Sequence, residues 1–418
     1  MHVATAWSRL CAEIRTKPLL FSTLKNKGLS DCLQMPEWCL RFGIVPLVNE
    51  PSLNPEQAAR YAEQLCEIGL SHGIDRMGVA PASIMLRART ILHERKSLGL
   101  HDTMQFTYRN PDRSTDPSAS VSGAKSIIVG ALSYAVDAPD TPEVLSARVA
   151  RYAWSNYYEE LRAALAAVRN KLQDDGWLAD VCVDSNALVD REAAYLAGIG
   201  WYGKNANLLV PGAGSFFVLG SVITNAPLPH AEQPLDDGCG ACKRCLDSCP
   251  TNAIVEAGVI DATKCLAWLV QKSGVFPRKF RVALADRVYG CDTCQEVCPP
   301  TTRLSITKKP TALRAWIPIL RMLELDDETL MREVSQWYVA DRNAMWVRRN
   351  LLIVLGNIGD PQDESVHQTI ARFCQHSEPM LRAHAVWSAA RLGLHQFIPV
   401  SDSDAIVQDE IDHLPEVR

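Results

Sequence analysis

The segment CGACKRCLDSCP, residues 239–250, sets four cysteines with two, two and three residues between them and a proline after the last. Thiols packed this densely can form a disulfide knot, hold zinc or ligate an iron–sulfur cluster. The N-terminal stretch MHVATAWSRLCAEIRTK has no compact apolar core followed by a small-residue cleavage site, and no apolar run in the chain is long enough to cross a membrane. A cytoplasmic location is therefore expected. Of the 14 cysteines in 418 residues, eight crowd into 239–298, which points to a local metal site in a reducing compartment.

Zinc sites of the structural kind show paired C-x2-C knuckles that together supply four ligands, and the spacing here goes beyond that. Cys239, Cys242, Cys245 and Cys249 followed by Pro250 match the bacterial ferredoxin run, whose fourth cysteine ligates a second cluster. That rule requires a partner run, and CDTCQEVCPP supplies Cys291, Cys294 and Cys298 before Pro299. Its first position would fall on Val288, which leaves Cys265 as the nearby substitute. Two 4Fe-4S clusters are expected, one on Cys239, Cys242, Cys245 and Cys298, the other on Cys249, Cys265, Cys291 and Cys294. The remaining cysteines, 11, 32, 39, 66, 182 and 374, lack such spacing and read as small apolar residues.

Two adjacent clusters make a path for single electrons, yet they need only some 70 of the 418 residues. The rest argues for an enzyme. Residues 1–50 read as an N-terminal extension. A helix opens at Asn54-Pro55, DRMGVAPA and AKSIIVGALSYAV read as strands, and Leu161, Leu165, Val168 and Leu172 share one face of a further helix ending near Gly176. LADVCVD and SFFVLGSVIT are strands around the short helix REAAYLAGIG. Mixed elements of this kind predict an α+β domain over 51–230, ahead of a ferredoxin-like domain over 231–305.

Gly198, Gly200 and Gly203 fit a dinucleotide fingerprint by spacing alone. They follow a helix instead of a strand, and no acid stands where one is needed, so a turn with close backbone approach is expected. Residues 347–359 and 381–393 align without a gap at an offset of 34 residues, which predicts a HEAT-like helical domain over 306–400. Residues 401–418 read as an acidic, solvated tail. The net charge of −5 excludes a uniformly basic nucleic-acid coat. Between Phe276 and Met322, however, nine basic residues (Arg278, Lys279, Arg281, Arg287, Arg303, Lys308, Lys309, Arg314 and Arg321) face three acidic ones. With Arg348 and Arg349 they make 276–349 a candidate phosphate-binding face.

The order of α+β domain, CGACKRCLDSCP with Cys265 and CDTCQEVCP, and helical repeat resembles the epoxyqueuosine reductases, cobalamin-dependent enzymes that complete queuosine in tRNA. The likeness covers about residues 51–395 and includes NPDRSTDPS, SGAKSIIVGALSY, ARYA, DSNALVDREAAYLAGIGWYGKNANLLV and GSFFVLGSV. It implies an α+β domain of the nitroreductase and reductive-dehalogenase kind that binds cobalamin base-off, without a protein histidine on cobalt. It implies electrons arriving from an external donor such as a flavodoxin or ferredoxin, and removal of the epoxide oxygen at the tRNA wobble position, with tRNA on the 276–349 region. It assigns proton donation to Asp184, which opens the Asp-Ser pair, and cofactor contact to Arg113, Asp184, Arg191, Lys204 and Ser215. A monomer is implied as well.

Opening an epoxide leaves negative charge on oxygen, and an acid that protonates it lowers the barrier. A carboxyl serves only if burial or a neighbouring negative charge raises its pKa. Two departures bear on the substrate. Tyr157-Tyr158-Glu159 stands where the family has Asp-Tyr-His, and Asn186-Ala187 where a small residue and proline follow Asp-Ser. They motivate an alternative, a divergent cobalamin and iron–sulfur reductase acting on a small molecule. A two-cluster electron carrier is the third reading.

Overall fold

Strand β2 (Ser126–Ser133) is apolar almost throughout because both of its faces are covered. Ile128 points to one layer with Leu65, Leu161, Leu165 and Leu172. Ile127 and Val129 point to the other, with Met85, Ala88, Ala193 and Ala194. Period-two alternation between two buried layers yields a continuous apolar run instead of an amphipathic strand. The helices that cover the sheet are α1 (Pro55–Ser71), α2 (Leu86–Ser97), α3 (Tyr157–Asp174) and α4 (Asp190–Leu196). The sheet runs β1–β2–β5–β4, where β1 is Arg76–Pro81, β4 is Ala179–Val183 and β5 is Phe217–Thr224. All three pairings are antiparallel, which makes the domain α+β as expected. The computed structural model describes residues 51–304, 306 and 314–418. The expected extension over 1–50, Cys11, Cys32 and Cys39, and Lys308 and Lys309, lie outside the described residues.

Helix α1 starts where the Asn-Pro signal places it. Asn54 Oδ1 accepts the Gln57 amide at 2.9 Å, and Gln57 Oε1 accepts the Asn54 amide at 3.0 Å, a reciprocal cap worth on the order of 1 kcal/mol. On α3 the four apolar residues named from their spacing are all fully buried.

A second sheet crosses the boundaries drawn from the motifs. Strand β3 (Ser146–Val149) is its centre, parallel to β6 (Arg287–Tyr289) and antiparallel to β7 (Trp316–Pro318). One apolar core accordingly joins Val149 and Trp154 to Phe276, Tyr289, Trp337, Leu352 and Trp387. Residues 51–230, 231–305 and 306–400 therefore share packing, because the central strand comes from the first segment and its partners from the other two.

Helix α5 (Arg278–Leu284) leads towards the C-terminal helices α6 (Ala344–Ile358), α7 (Glu364–Cys374) and α8 (Pro379–Arg391). The two aligned segments lie on α6 and α8, and Ser388 Oγ donates to the Leu352 carbonyl at 2.7 Å. Beyond them the expected solvated tail is corrected. Residues Ala405–Asp412 form helix α9, with Val407 fully buried and Glu410 only 2% exposed. Glu410 meets Arg281, itself 0% exposed, at 3.0 Å, and Arg278 at 3.1 Å. A charge count could not see this partner, which lies about 130 residues away in the chain.

Glu410→Ala should therefore destabilise the chain by about 3–5 kcal/mol, because it leaves the Arg281 guanidinium buried and unpaired. Glu56→Ala, in the exposed pair with Arg60, should change little. Urea denaturation of both variants checks the contrast; equal midpoints would mean that Glu410 does not neutralise Arg281.

Candidate functional site

The thiols fall into two sets. Cys298 is pushed up to about 11 by burial and then by the neighbouring thiols of Cys239, Cys245 and Cys242. Cys265 is likewise pushed up to about 11 by burial, with Cys291 and Cys249 beside it. Burial holds Cys294 well above the usual thiol range, and Cys291 and Cys265 add to it. These neighbours are compatible with the two sets drawn from spacing, although Cys294 also feels Cys245. Iron reverses this penalty, since a coordinated thiol gives up its proton.

Cys239, Cys242, Cys245 and Cys298 line a cavity of about 240 Å³ together with Trp201 and Lys204. The indole Nε1 of Trp201 is buried without a hydrogen-bond partner. Among the described residues no group of three His, Cys, Asp or Glu side chains is placed to hold a single ion. In the other set, burial opposes ionisation of Cys249, but the amides of Thr251, Ala253 and Ile254 outweigh it and hold the thiol below its usual range. The Ala253 amide lies 3.2 Å from its sulfur. Amide–sulfur bonds of this kind tune a cluster's potential.

The second set is fastened to the first sheet. Gln295, next to Cys294, accepts hydrogen bonds from Tyr134 at 3.2 Å and from Ser215 at 3.0 Å. Asn205 donates to the Cys294 carbonyl at 3.1 Å. Lys204 donates to the carbonyls of Gly240 at 2.5 Å and Cys242 at 3.1 Å, bracing the loop of the first set. Gly290, with φ +70°, precedes Cys291, and a Cβ there would stand 2.4 Å from that of Ala150. Only glycine lets the cluster loop lie so close to the Arg151-Tyr152 segment. At Gly200 a Cβ would meet the Leu209 carbonyl at 2.4 Å, within the two-residue pairing of Trp201–Tyr202 with Leu208–Leu209. The glycine motif is therefore a close-approach turn.

Asp184 ends strand β4 and takes a left-handed backbone, φ 46°, which Asp tolerates better than most residues. The loop it opens is pinned on both sides. Arg162 donates to the Val183 carbonyl at 2.7 Å, Ser114 to that of Asn186 at 2.7 Å, and Arg113 to that of Ala187 at 3.3 Å. Asp184 reaches solvent. Loss of hydration raises its carboxyl above the usual range, and Arg162 opposes this only in part. Asp190, at the start of α4, is held well above the range by the same loss and by Asp184. Between them lies Tyr158, whose phenol is raised by burial and by both carboxylates. Tyr289, two residues before Cys291, also feels the charge of Asp184. The Asp184 loop is thereby coupled electrostatically to the segment that carries the cluster thiols.

The other predicted positions scatter around it. Arg191 is exposed and donates to the Ala206 carbonyl at 3.2 Å. Arg113 and Lys204 bond backbone carbonyls of the loops they brace, and Ser215 is buried on Gln295. Tyr157 turns into the core beside Tyr134, its hydroxyl without a partner. Glu159 points away towards Arg162, 3.9 Å distant. Sequence reasoning missed Asp190, Tyr289 and Gln295; Asp190 had a signal, an acid in a motif already singled out.

Much of the basic run is engaged in ion pairs or buried. Arg278 and Arg281 bind Glu410, Arg314 and Arg321 bind Glu333, and Arg348 binds Asp327. Arg349 is fully buried, donating to the carbonyls of Leu269, Lys272 and Gly274. Among the described members of the run, Lys279 and Arg303 are exposed without a carboxylate partner. The expectation that 276–349 forms one phosphate-binding face is corrected, since many of its cations pair with Glu333 and Asp327 within the region or with Glu410 beyond it.

Comparison with known proteins gives the following. Residues 238–301 match a family described as 4Fe-4S double cluster binding domain, and residues 114–185 one described as Epoxyqueuosine reductase QueG, DUF1730. The chain is 32% identical to the epoxyqueuosine reductase of Bacillus anthracis over 338 residues, covering 77% of this chain and 86% of the relative. It is 37% identical to that of Synechococcus sp. (strain CC9605) over 253 residues, covering 58% and 77%. A crystal structure of epoxyqueuosine reductase with a tRNA-TYR epoxyqueuosine-modified stem loop aligns at a TM-score of 0.76 and 27% identity, covering 84% of this chain and 97% of that one. No helix among the described residues is long and apolar enough to cross a membrane.

Proposed function

This chain belongs to the epoxyqueuosine reductase family, and from that premise we propose that it reduces epoxyqueuosine in tRNA to queuosine in the cytoplasm, with Asp184 as the proton donor. The observation that carries the reading is the Asp184 loop, pinned by Arg162, Ser114 and Arg113, where lost hydration raises the carboxyl and its charge reaches Tyr289, two residues before Cys291.

The four thiols of each set would hold one 4Fe-4S cluster, and the pair would deliver electrons one at a time from an external donor. Cobalamin, bound beside the Asp184 loop, would supply the low-valent metal chemistry that such a reduction needs. Of the surroundings, the partly buried Tyr158 and the exposed Arg191 guanidinium would meet a broad amphipathic ring, while Tyr289 is buried against Trp337. Arg191 would meet the cofactor directly. Arg113, Lys204 and Ser215 act differently, holding the Asp184 loop, the first cluster loop and Gln295 in register.

Asp184 gives its proton to the epoxide oxygen as the C–O bond opens, which keeps charge from building on that oxygen. The three hydrogen bonds around its loop fix where the proton is presented. Binding of tRNA follows from the relative solved with a stem loop. Among the described residues, Lys279 and Arg303 are the exposed cations of the basic run left to meet phosphates.

The test is anaerobic. The chain with reconstituted clusters and cobalamin is given a strong reductant and tRNA carrying epoxyqueuosine, and the digested nucleoside is weighed. Loss of one oxygen is expected. An unchanged nucleoside, with clusters that still take up electrons, would favour a small-molecule substrate, as the Tyr157-Tyr158-Glu159 departure suggests.

A further inference from the structure

The glycine motif over 198–203 is a close-approach turn, and the turn serves to place one side chain. A Cβ at Gly200 would meet the Leu209 carbonyl at 2.4 Å, and one at Gly203 would meet Asn205 Oδ1 at 2.7 Å and Leu209 Cδ1 at 2.8 Å. Both glycines thus let Trp201–Tyr202 lie directly on Leu208–Leu209. The product is a fixed position for the Trp201 indole, which lines the cavity of about 240 Å³ with Cys239, Cys242, Cys245 and Cys298. One edge of that indole lies against the first cluster loop. A Cβ at Gly238, the residue before Cys239, would stand 2.6 Å from its Cζ2 and 2.8 Å from its Cε2. Cε2 is bonded to Nε1, so the edge that carries the N–H is the one turned to the loop.

We infer that Trp201 donates its indole N–H to a sulfur of the cluster on Cys239, Cys242, Cys245 and Cys298, and so raises the reduction potential of that cluster. The inference rests on the reading above that these four thiols hold one 4Fe-4S cluster. Nε1 is buried and has no hydrogen-bond partner within the chain, and a buried donor left unpaired is costly. The other side-chain nitrogens around the cavity are engaged or wet. Lys204 donates to the Gly240 and Cys242 carbonyls at 2.5 and 3.1 Å, and Asn205 to that of Cys294 at 3.1 Å. Arg244 and Arg303 are exposed, where water screens them. One-electron reduction by the external donor adds negative charge at the sulfurs without making or breaking a bond. A fixed N–H dipole in a dry setting favours that more negative state.

The plainer role for Trp201 is apolar cover over the loop, and removing the N–H while keeping a ring separates the two. The full chain with reconstituted clusters is titrated anaerobically with a strong reductant, and each cluster is followed by electron paramagnetic resonance. The signal that Cys298→Ala lacks identifies the first cluster. Trp201→Phe should shift the one-electron equilibrium of that cluster about tenfold towards the oxidised state, a potential lower by about 59 mV, with the second cluster and the iron content unchanged. In the reduced parent, electron–nuclear double resonance should show a deuterium-exchangeable proton coupled to the first cluster, and the variant should lack it. If Trp201→Phe fails to fold or to load the cluster, 3-benzothienylalanine at position 201, which has the indole shape with sulfur in place of N–H, should give the same two changes. Loss of cover alone admits water, which favours the reduced state. A potential unchanged or raised, or a coupling that persists without the N–H, would therefore overturn the inference. A parent that loads both clusters but leaves epoxyqueuosine untouched would sink the functional reading and not this one; a parent that takes up no cluster on the first set would sink both.

Discussion

Asp184→Asn should abolish most epoxide reduction, by about 100- to 10,000-fold in single turnover, with both clusters intact. The substitution keeps size and hydrogen-bonding shape but removes the proton. The loop has no reason to collapse, because Arg162, Ser114 and Arg113 hold it through backbone carbonyls and not through the carboxyl. The pH dependence has a definite sign. Burial raises the Asp184 carboxyl, and the active form is the protonated one, which dominates below its pKa. Parent activity should therefore be full on the acidic side and fall as pH rises through that raised value, whereas the residual rate of the Asn variant should lack this limb. Nucleoside mass analysis after single turnovers across neutral pH measures both. A variant as fast as its parent would remove Asp184 from the chemistry.

Cys298→Ala and Cys249→Ala should each empty one cluster, and not the one that proximity in the chain suggests. Cys249 lies in the run with Cys239, Cys242 and Cys245, yet the thiol that feels all three of those is Cys298. Cys249 is among the neighbours of Cys265. Iron per chain should fall from about eight to about four in either variant, and activity should vanish because the electron path is cut. Pairs of substitutions make the partition explicit, since changes within one unit do not add while independent ones do. Cys298→Ala with Cys239→Ala should lose no more iron than Cys298→Ala alone; Cys298→Ala with Cys265→Ala should lose nearly all. If Cys298→Ala and Cys249→Ala together remove only one cluster, the partition is wrong.

Spacing by itself determined the cluster chemistry, because the ligands of an iron–sulfur cube come from short segments whose geometry is local. It also determined the elements of the first domain. The buried face of α3, the Asn54 cap and the apolar run of β2 are written in periods of 3.6 and 2 that need no distant partner. The Asp184 loop was legible through family likeness, and its position at the end of a buried strand through pattern.

Other features depended on residues far apart in the chain, and only the tertiary structure decided them. The basic run over 276–349 looked like a surface because its acids, Glu333, Asp327 and above all Glu410, stand outside the window in which charge was counted. The acidic tail looked solvated for the same reason, read from the other end. Strand β3 sits in the first segment, but its hydrogen-bonding partners are β6 and β7, so motif boundaries could not be core boundaries.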